Sequence, residues 1–236
     1  MICKIADLIA EIPTADGLAV RCQDYLWKEE TNPDIVVQEE LYRKDRFAPC
    51  ISTKTVAYME AAFQFYRQLL GFGGFCLHAS AVVRDGKAYL FSGRSGVGKS
   101  THTRLWIDTF GGDTRVINDD KPALRCIDGV WYAYGTPWCG KDGINLNERA
   151  PLAGICFLKQ ANQNRIRKIE PSEAFQKFYG QTIRHMDNAH ELDALLRLME
   201  DLLSKIPVYE LENLPEPAAA MLSYETMSQG AMEAKL

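Results

Sequence analysis

The chain has 236 residues, 47% of them hydrophobic and 25% charged, with a formal net charge of -4. That length suits one large domain, or one domain with a small appendage, and the ordinary composition excludes a disordered or fibrous chain. So mild an acidity lacks the electrostatic footprint of a general nucleic-acid binder, and no apolar run approaches membrane-spanning length.

Residues 1 to 50 mix short apolar runs with turn and charge signals ("GLAVRCQDYLW", "EETNPD", "IVVQEELYR"), which predicts a few short antiparallel strands. No leader-like apolar core or cleavage-like site opens the sequence, so a cytoplasmic location is expected. "TVAYMEAAFQFYRQLL" (55–70) is apolar on most faces and ends at Gly71, as a largely buried helix does. Residues 1–72 are thus expected to form a small strand and helix region packed on a core built by residues 73–236, either as a separate region or as one continuous domain with it. "CLHASAVV" (76–83) and "AYLFSG" (88–93) read as strands joined by a hairpin at Asp85-Gly86. A helix should run from Lys99 to about Thr109, stopped by Gly111-Gly112, followed by a strand at 114–120. "PALRCIDGVWYAY" gives a second hairpin around Asp128-Gly129, "GTPWCGKDG" (135–143) a loop, and "LAGICFL" (152–158) a buried strand. "SEAFQKFYGQTIR" and "AHELDALLRLMEDLLSK" read as helices. In the second, Leu192, Leu195, Leu196, Met199, Leu202 and Leu203 form a stripe that serves either as core or as a partner-binding seam. "VYELE" (208–212) reads as a last strand. Strands outnumber those of a doubly wound sheet, so the expected class is α/β with a mixed, partly antiparallel sheet and flanking helices. The seven cysteines are scattered, with no Cys-x-x-Cys pair, which argues against a disulfide framework or a zinc ribbon.

"LFSGRSGVGKSTHTRLW" (90–106) carries the strongest chemical signal. Gly93, four residues, then Gly98-Lys99-Ser100 is the spacing of a phosphate-cradling loop (P-loop), set between an apolar strand and a helical pattern. Glycines let successive N–H groups turn inward, and the helix N-terminus adds partial positive charge. Gly93, Arg94, Ser95, Gly96, Val97, Gly98, Lys99, Ser100 and Thr101 are therefore the expected nucleotide-binding residues. Lys99 would meet the outer phosphates and the Ser100 hydroxyl would ligate Mg²⁺. Twenty residues beyond Lys99, "VINDDKP" ends an apolar strand on Asp119 and Asp120. One tight helix and one loop separate the two motifs, so this strand can lie beside the one that feeds the glycine loop. Two acids beside one phosphate allow one to hold a metal and the other to accept a proton; capping of a turn is the structural alternative.

"LHAS" before a hairpin, then "GRSGVGKST", "NDD" and "CGKDGINL", resembles the catalytic domain of HPr kinase/phosphorylase, which shares its superfold with phosphoenolpyruvate carboxykinase. The resemblance covers about residues 75 to 160. It implies an ATP- and Mg²⁺-dependent phosphotransferase with Asp119 as general base toward a serine-type hydroxyl. Asp120 and Ser100 would be metal ligands, Lys99 a phosphate-holding catalytic residue, and His78 a catalytic neighbour that orients phosphate or assists Asp119. The acceptor would be a peptide, a protein or a small molecule. No nucleic acid or membrane partner is expected, and the resemblance hints at a homo-oligomer. The chain departs from the family in lacking the large N-terminal domain and a metal-binding glutamate before the glycine-rich signature, where "TPWCGKDG" offers Asp142. Lys141 stands where the signature has an arginine. These departures fit short, divergent kinase-like proteins better than an enzyme acting on HPr. Lys141, Asp142 and Arg149 are candidates for acceptor or phosphate contacts, with structural ion pairs as the alternative. Trp138 either stacks on a substrate or anchors its loop, the anchor being favoured.

Two other functions stay open: a nucleotide-binding accessory or regulatory protein with little turnover, and a carboxykinase-type lyase. The lyase needs a Lys/His metal site and substrate-gripping arginines. Two of the four histidines, His185 and His190, fall instead in the late helical region.

Overall fold

A computed structural model of the chain describes residues 1–14, 17–183 and 188–233. In chain order the elements are β1 (Ile2–Ile5), β2 (Leu8–Glu11), α1 (Leu18–Arg21), β3 (Ile35–Val36), α2 (Thr53–Leu69), β4 (Gly74–Cys76), β5 (Ala79–Arg84), β6 (Lys87–Ser92) and α3 (Lys99–Phe110). Then follow β7 (Arg115–Asn118), β8 (Ala123–Ile127), β9 (Val130–Tyr134), β10 (Arg149–Gln160), β11 (Arg165–Lys168), α4 (Pro171–Tyr179), α5 (Ala189–Lys205), β12 (Val208–Asn213) and α6 (Pro217–Glu233).

The fold is mixed α/β, built on a curled, mixed sheet. Nine strands of the described residues run in the order β4-β8-β9-β10-β6-β5-β7, with β12 beside β10 and β11 beside β12. The long β10 changes partners along its length. Arg149–Pro151 pair antiparallel with β9, whereas Leu152–Phe157 run parallel to β6 and Ile155–Gln160 parallel to β12. Both hairpins form at the expected turns, with Asp85, Gly86, Asp128 and Gly129 all at positive φ. That is the geometry a two-residue turn needs to match strand twist.

Strand side chains alternate between two buried faces. Ala81, Val83, Leu90, Ile155 and Phe157 meet Phe178 of α4 and Leu195, Met199 and Leu202 of α5. Val82, Tyr89, Phe91 and Cys156 meet Trp106 of α3 and Met227 of α6. The stripe on α5 is thus core on Leu195, Met199 and Leu202, with Leu192, Leu196 and Leu203 only partly covered. A separate small sheet, β1-β2-β3, packs on α2 in a third cluster that also takes in Cys76, Ala123, Tyr134 and Trp138. Among the described residues no helix is long and apolar enough to cross a membrane.

Several expectations need correction. "GLAVR" is a short helix rather than a strand, and β3 runs parallel to β2. Residues 76–83 are not one strand: β4 pairs with β8, β5 with β6, and Leu77 and His78 cross between them. The helix expected over 172–184 stops at Tyr179, because Leu77 forms a β-bridge with Thr182 and so requires extended backbone there; Arg184 lies outside the described residues, as does His185. Helix α6 was not anticipated at all.

Candidate functional site

Three strands determine where the site forms. Strand β6 ends at Ser92 and hands the chain to the glycine loop, and α3 begins at Lys99. The sequence suggested that the strand carrying the two aspartates lies next to β6. It does not, because β5 fills one edge of β6 through the hairpin and β10 fills the other. Strand β7 therefore adds to the far edge of β5. Being antiparallel to β5, which is itself antiparallel to β6, it points the same way as β6. Asp119 and Asp120, just past its end, thus reach the same end of the sheet as the glycine loop.

The loop owes its shape to three residues at positive φ: Gly93 (144°), Gly96 (80°) and Gly98 (107°). At Gly93 a side chain would also meet Val97 Cγ1 at 3.0 Å and the Leu158 carbonyl at 3.3 Å. Gly98 sits at the N-cap of α3 without a side-chain cap, so the first-turn N–H groups of the helix face the site with no local side-chain acceptor. Lys99 is 8% exposed, and its ammonium donates to the Gly93 carbonyl at 3.1 Å. Burial pushes its pKa down, while the Asp120 carboxylate pulls the other way. Behind the loop, Thr103 bonds Ser80 at 3.0 Å, and Trp106 and His102 both bond Ser223 of α6, at 2.9 and 3.1 Å. These contacts pin the helix whose N-terminus forms the site.

The two aspartates differ in surroundings. Asp119 is 6% exposed and accepts the Gly140 N–H at 2.5 Å. Burial raises its pKa, with the Gly140 bond opposing. Asp120 faces His78 Nε2 at 3.1 Å through Oδ1 and Lys121 Nζ through Oδ2. Burial alone would push its carboxyl up, but His78 and Lys121 outweigh that and hold it at about 2. His78 is oriented in turn by Gln181, with Nδ1 3.1 Å from Oε1. Asn118 ties the turn together, since its Oδ1 accepts from the Asp120 and Lys121 N–H groups and its Nδ2 donates to the Thr136 carbonyl.

A cavity of about 510 Å³ gathers His78, Ser95, Gly96, Gly98, Lys99, Ser100, Thr101, Asp119, Asp120, Gly140, Lys141 and Asp142. A second, of about 570 Å³, opens across the loop and is lined by Gly93 to Val97, the end of β10 (Phe157 to Gln160) and Gln176, Lys177 and Gln181 among others. The glycine loop is the wall between the two. Arg149 is not brought to the site: it binds Asp7 and Tyr134 and lies over the Tyr132 ring. Asp142 faces Arg104 at 3.6 Å. Trp138 is fully buried against Phe65 and Tyr66, with ring centroids at 4.8 and 5.5 Å, so it anchors its loop. His190 sits in the first turn of α5, far along the chain from these residues, and carries no contact to them in the described structure.

Sequence reasoning missed Lys121, Asn118, Gln181 and Gly140, and also Arg21 and Tyr58, which reach the loop from the N-terminal region. Asn118 and Lys121 flank the acidic pair and were findable as neighbours. Nothing in the spacing marks the others.

Among the described residues no group of three or more His, Cys, Asp or Glu side chains gathers around a metal position. Ser100 and the ionised Asp120 nevertheless share one cavity as hard oxygen donors. That sparse set suits Mg²⁺, which keeps several waters and takes the rest of its shell from substrate phosphates.

No protein-family profile matches the chain, and no curated protein matches it. Among solved structures, the HPr(Ser) kinase/phosphatase from Coxiella burnetii is similar at a TM-score of 0.41 and 12% identity, over 68% of this chain and 92% of that one. This is a distant likeness, not membership of a family, and it transfers neither activity nor substrate to this chain.

Proposed function

We propose that the chain is an ATP- and Mg²⁺-dependent phosphotransferase that moves the γ-phosphoryl group to a hydroxyl of a peptide, protein or small molecule. One observation carries this reading: a single cavity holds the N-terminus of α3, Lys99, and two neighbouring carboxylates whose pKa values are shifted in opposite directions, Asp119 upward by burial and Asp120 downward because His78 and Lys121 outweigh burial. A plain phosphate-binding turn has no use for that difference, whereas transfer to an alcohol does.

In this reading the loop N–H groups and Lys99 hold the β- and γ-phosphates, Lys99 exchanging the Gly93 carbonyl for phosphate oxygen. Thr101 stands near the inner phosphate, and the nucleoside extends toward the second cavity past Arg94. Asp119, buried and with its pKa raised, is the better base of the pair. It takes the hydroxyl proton as the new O–P bond forms and the bond from the γ-phosphorus to the bridging oxygen breaks, releasing ADP. Ser100 and Asp120 would hold Mg²⁺, which offsets charge on the phosphoryl oxygens. His78 keeps Asp120 ionised and turned inward. Lys141 and Asp142 border the space left for the acceptor.

A second reading, a nucleotide binder with little turnover, is favoured by the fact that both Asp120 oxygens already have side-chain partners, His78 Nε2 and Lys121 Nζ. Asp119→Asn separates the two. For a kinase, with water standing in as the acceptor, this variant keeps Mg-ATP binding and loses phosphate release. Wild-type protein that binds Mg-ATP and releases no phosphate would favour the binder, and undiminished release by the variant would remove Asp119 from the chemistry.

A further inference from the structure

The N-terminal region reaches the site through one side chain. Arg21, at the end of α1, is half-buried and lies over the Tyr58 ring at 5.0 Å. Its Nη1 donates to the Cys139 carbonyl at 2.7 Å and its Nη2 to the Gly140 carbonyl at 3.2 Å. Nη1 also donates to the Tyr58 hydroxyl at 2.9 Å, and that hydroxyl donates to the same Cys139 carbonyl at 2.9 Å. Asn145 Nδ2 closes the clasp by donating to the Arg21 carbonyl at 3.0 Å.

The consequence follows from the peptide unit. The Cys139 C=O and the Gly140 N–H belong to one planar trans peptide, in which they point in opposite directions. A donor that fixes the carbonyl therefore aims the N–H, and this N–H is the one bonded to Asp119. A cation on the carbonyl also polarises the amide and strengthens its N–H as a donor. The second guanidinium arm holds the next carbonyl, so the fork restrains rotation of the peptide on both sides, which a lysine's point charge does not.

We propose that Arg21 is a positioning residue for Asp119, acting through the Cys139–Gly140 peptide: it aims the amide that holds the carboxylate in the geometry needed for phosphoryl transfer. The catalytic part of this statement rests on the function proposed above; the geometric part does not.

Cys139-Gly140 is the single Cys-Gly pair in the sequence. Carbonyl-¹³C cysteine with ¹⁵N-glycine therefore yields one amide peak in a carbonyl-filtered spectrum, that of Gly140. In the wild type this proton should lie far downfield, as befits a short bond to a carboxylate. In Asp119→Asn it should move upfield. In Arg21→Met it should move to about the Asp119→Asn position, and in Arg21→Lys to a place in between. With Mg-ATP, and water as acceptor, phosphate release by Arg21→Met should fall about tenfold in kcat with KM unchanged, the equivalent of one hydrogen bond's net contribution. A Gly140 amide at its wild-type position in either Arg21 variant overturns the proposal, as does an amide that moves while kcat stays. Undiminished release by Asp119→Asn would instead overturn the kinase reading and leave the amide to decide the role of Arg21. Absence of release from the wild type would do the same.

Discussion

Replacing Gly140 with alanine probes the hold on Asp119 from the opposite side. An added Cβ would stand 2.7 Å from Asp119 Oδ2, 3.0 Å from Cγ and 3.1 Å from Oδ1. Carbon does not approach a carboxylate that closely, and Asp119, 6% exposed, has little room to retreat. Either the carboxylate turns off the Gly140 N–H or the 139–143 loop backs away, and both break the 2.5 Å bond. A hydrogen bond to a charged group contributes about 1.5–3 kcal/mol. If that bond is what fixes the base, its loss lowers turnover about tenfold to a hundredfold. Lys99 and the positive-φ glycines are untouched, so nucleotide affinity should stay within about twofold. Single-turnover phosphate release and calorimetric titration with Mg-ATP, on the same preparation, read the two quantities separately. Wild-type release by Gly140→Ala would refute the claim that the Gly140–Asp119 contact matters to the chemistry. Binding and turnover lost in equal proportion would mean that Gly140 acts on the nucleotide rather than through Asp119.

Stability offers two further tests. Burial holds His102 at about 4, below the usual 6.5 for histidine. Above pH 6.5 the ring is neutral folded or unfolded; between pH 6.5 and 4 only the unfolded chain takes up the proton. Stability should therefore fall with pH in that window, by up to about 3 kcal/mol. Denaturant midpoints at pH 7 and pH 4.5 should show a smaller drop for His102→Gln than for the wild type; equal drops would contradict the burial argument. Trp138→Ala empties a fully buried site against Phe65 and Tyr66, and should lower unfolding free energy by about 3–5 kcal/mol. A change below about 1 kcal/mol in a denaturant titration would mean that the tryptophan is not the anchor of the loop.

The parts of this molecule legible in sequence are those fixed by local chemistry. Asp85-Gly86 and Asp128-Gly129 announce their hairpins because few other pairs accept two successive positive φ values. The leucines of α5 announce a buried face by their spacing, and Gly98-Lys99 marks the start of α3. Helix α6 escaped because the residues it buries are small or mixed: Ala219, Ala220, Ser223 and Met227 make no apolar stripe. Its value to the fold is instead polar, with Ser223 accepting from Trp106 and facing His102. The place of β7 was misjudged because a strand's neighbours depend on which edges remain open, and β10 and β5 close both edges of β6. The aspartate pair was visible, but not its asymmetry. That arises from His78, Lys121 and Gly140, side chains and backbone set by three separate segments. Arg149 looked like a site residue by proximity in sequence, and its partners Asp7 and Tyr134 show it to be a brace between the two sheets. Arg21 had no local signal, since its acceptors lie 118 and 119 residues away.

The central claim is that the loop between β6 and α3 binds the phosphates of a nucleoside triphosphate through Lys99. Calorimetric titration of the wild type and Lys99→Ala with Mg-ATP, with pyrophosphate as a reference, tests it directly. The proposed function predicts Mg²⁺-dependent binding by the wild type, with Lys99→Ala weakened at least tenfold, since a buried ammonium that exchanges the Gly93 carbonyl for phosphate oxygen would contribute more than one ordinary hydrogen bond. Absence of binding by the wild type, or equal affinity in the two proteins, would contradict it.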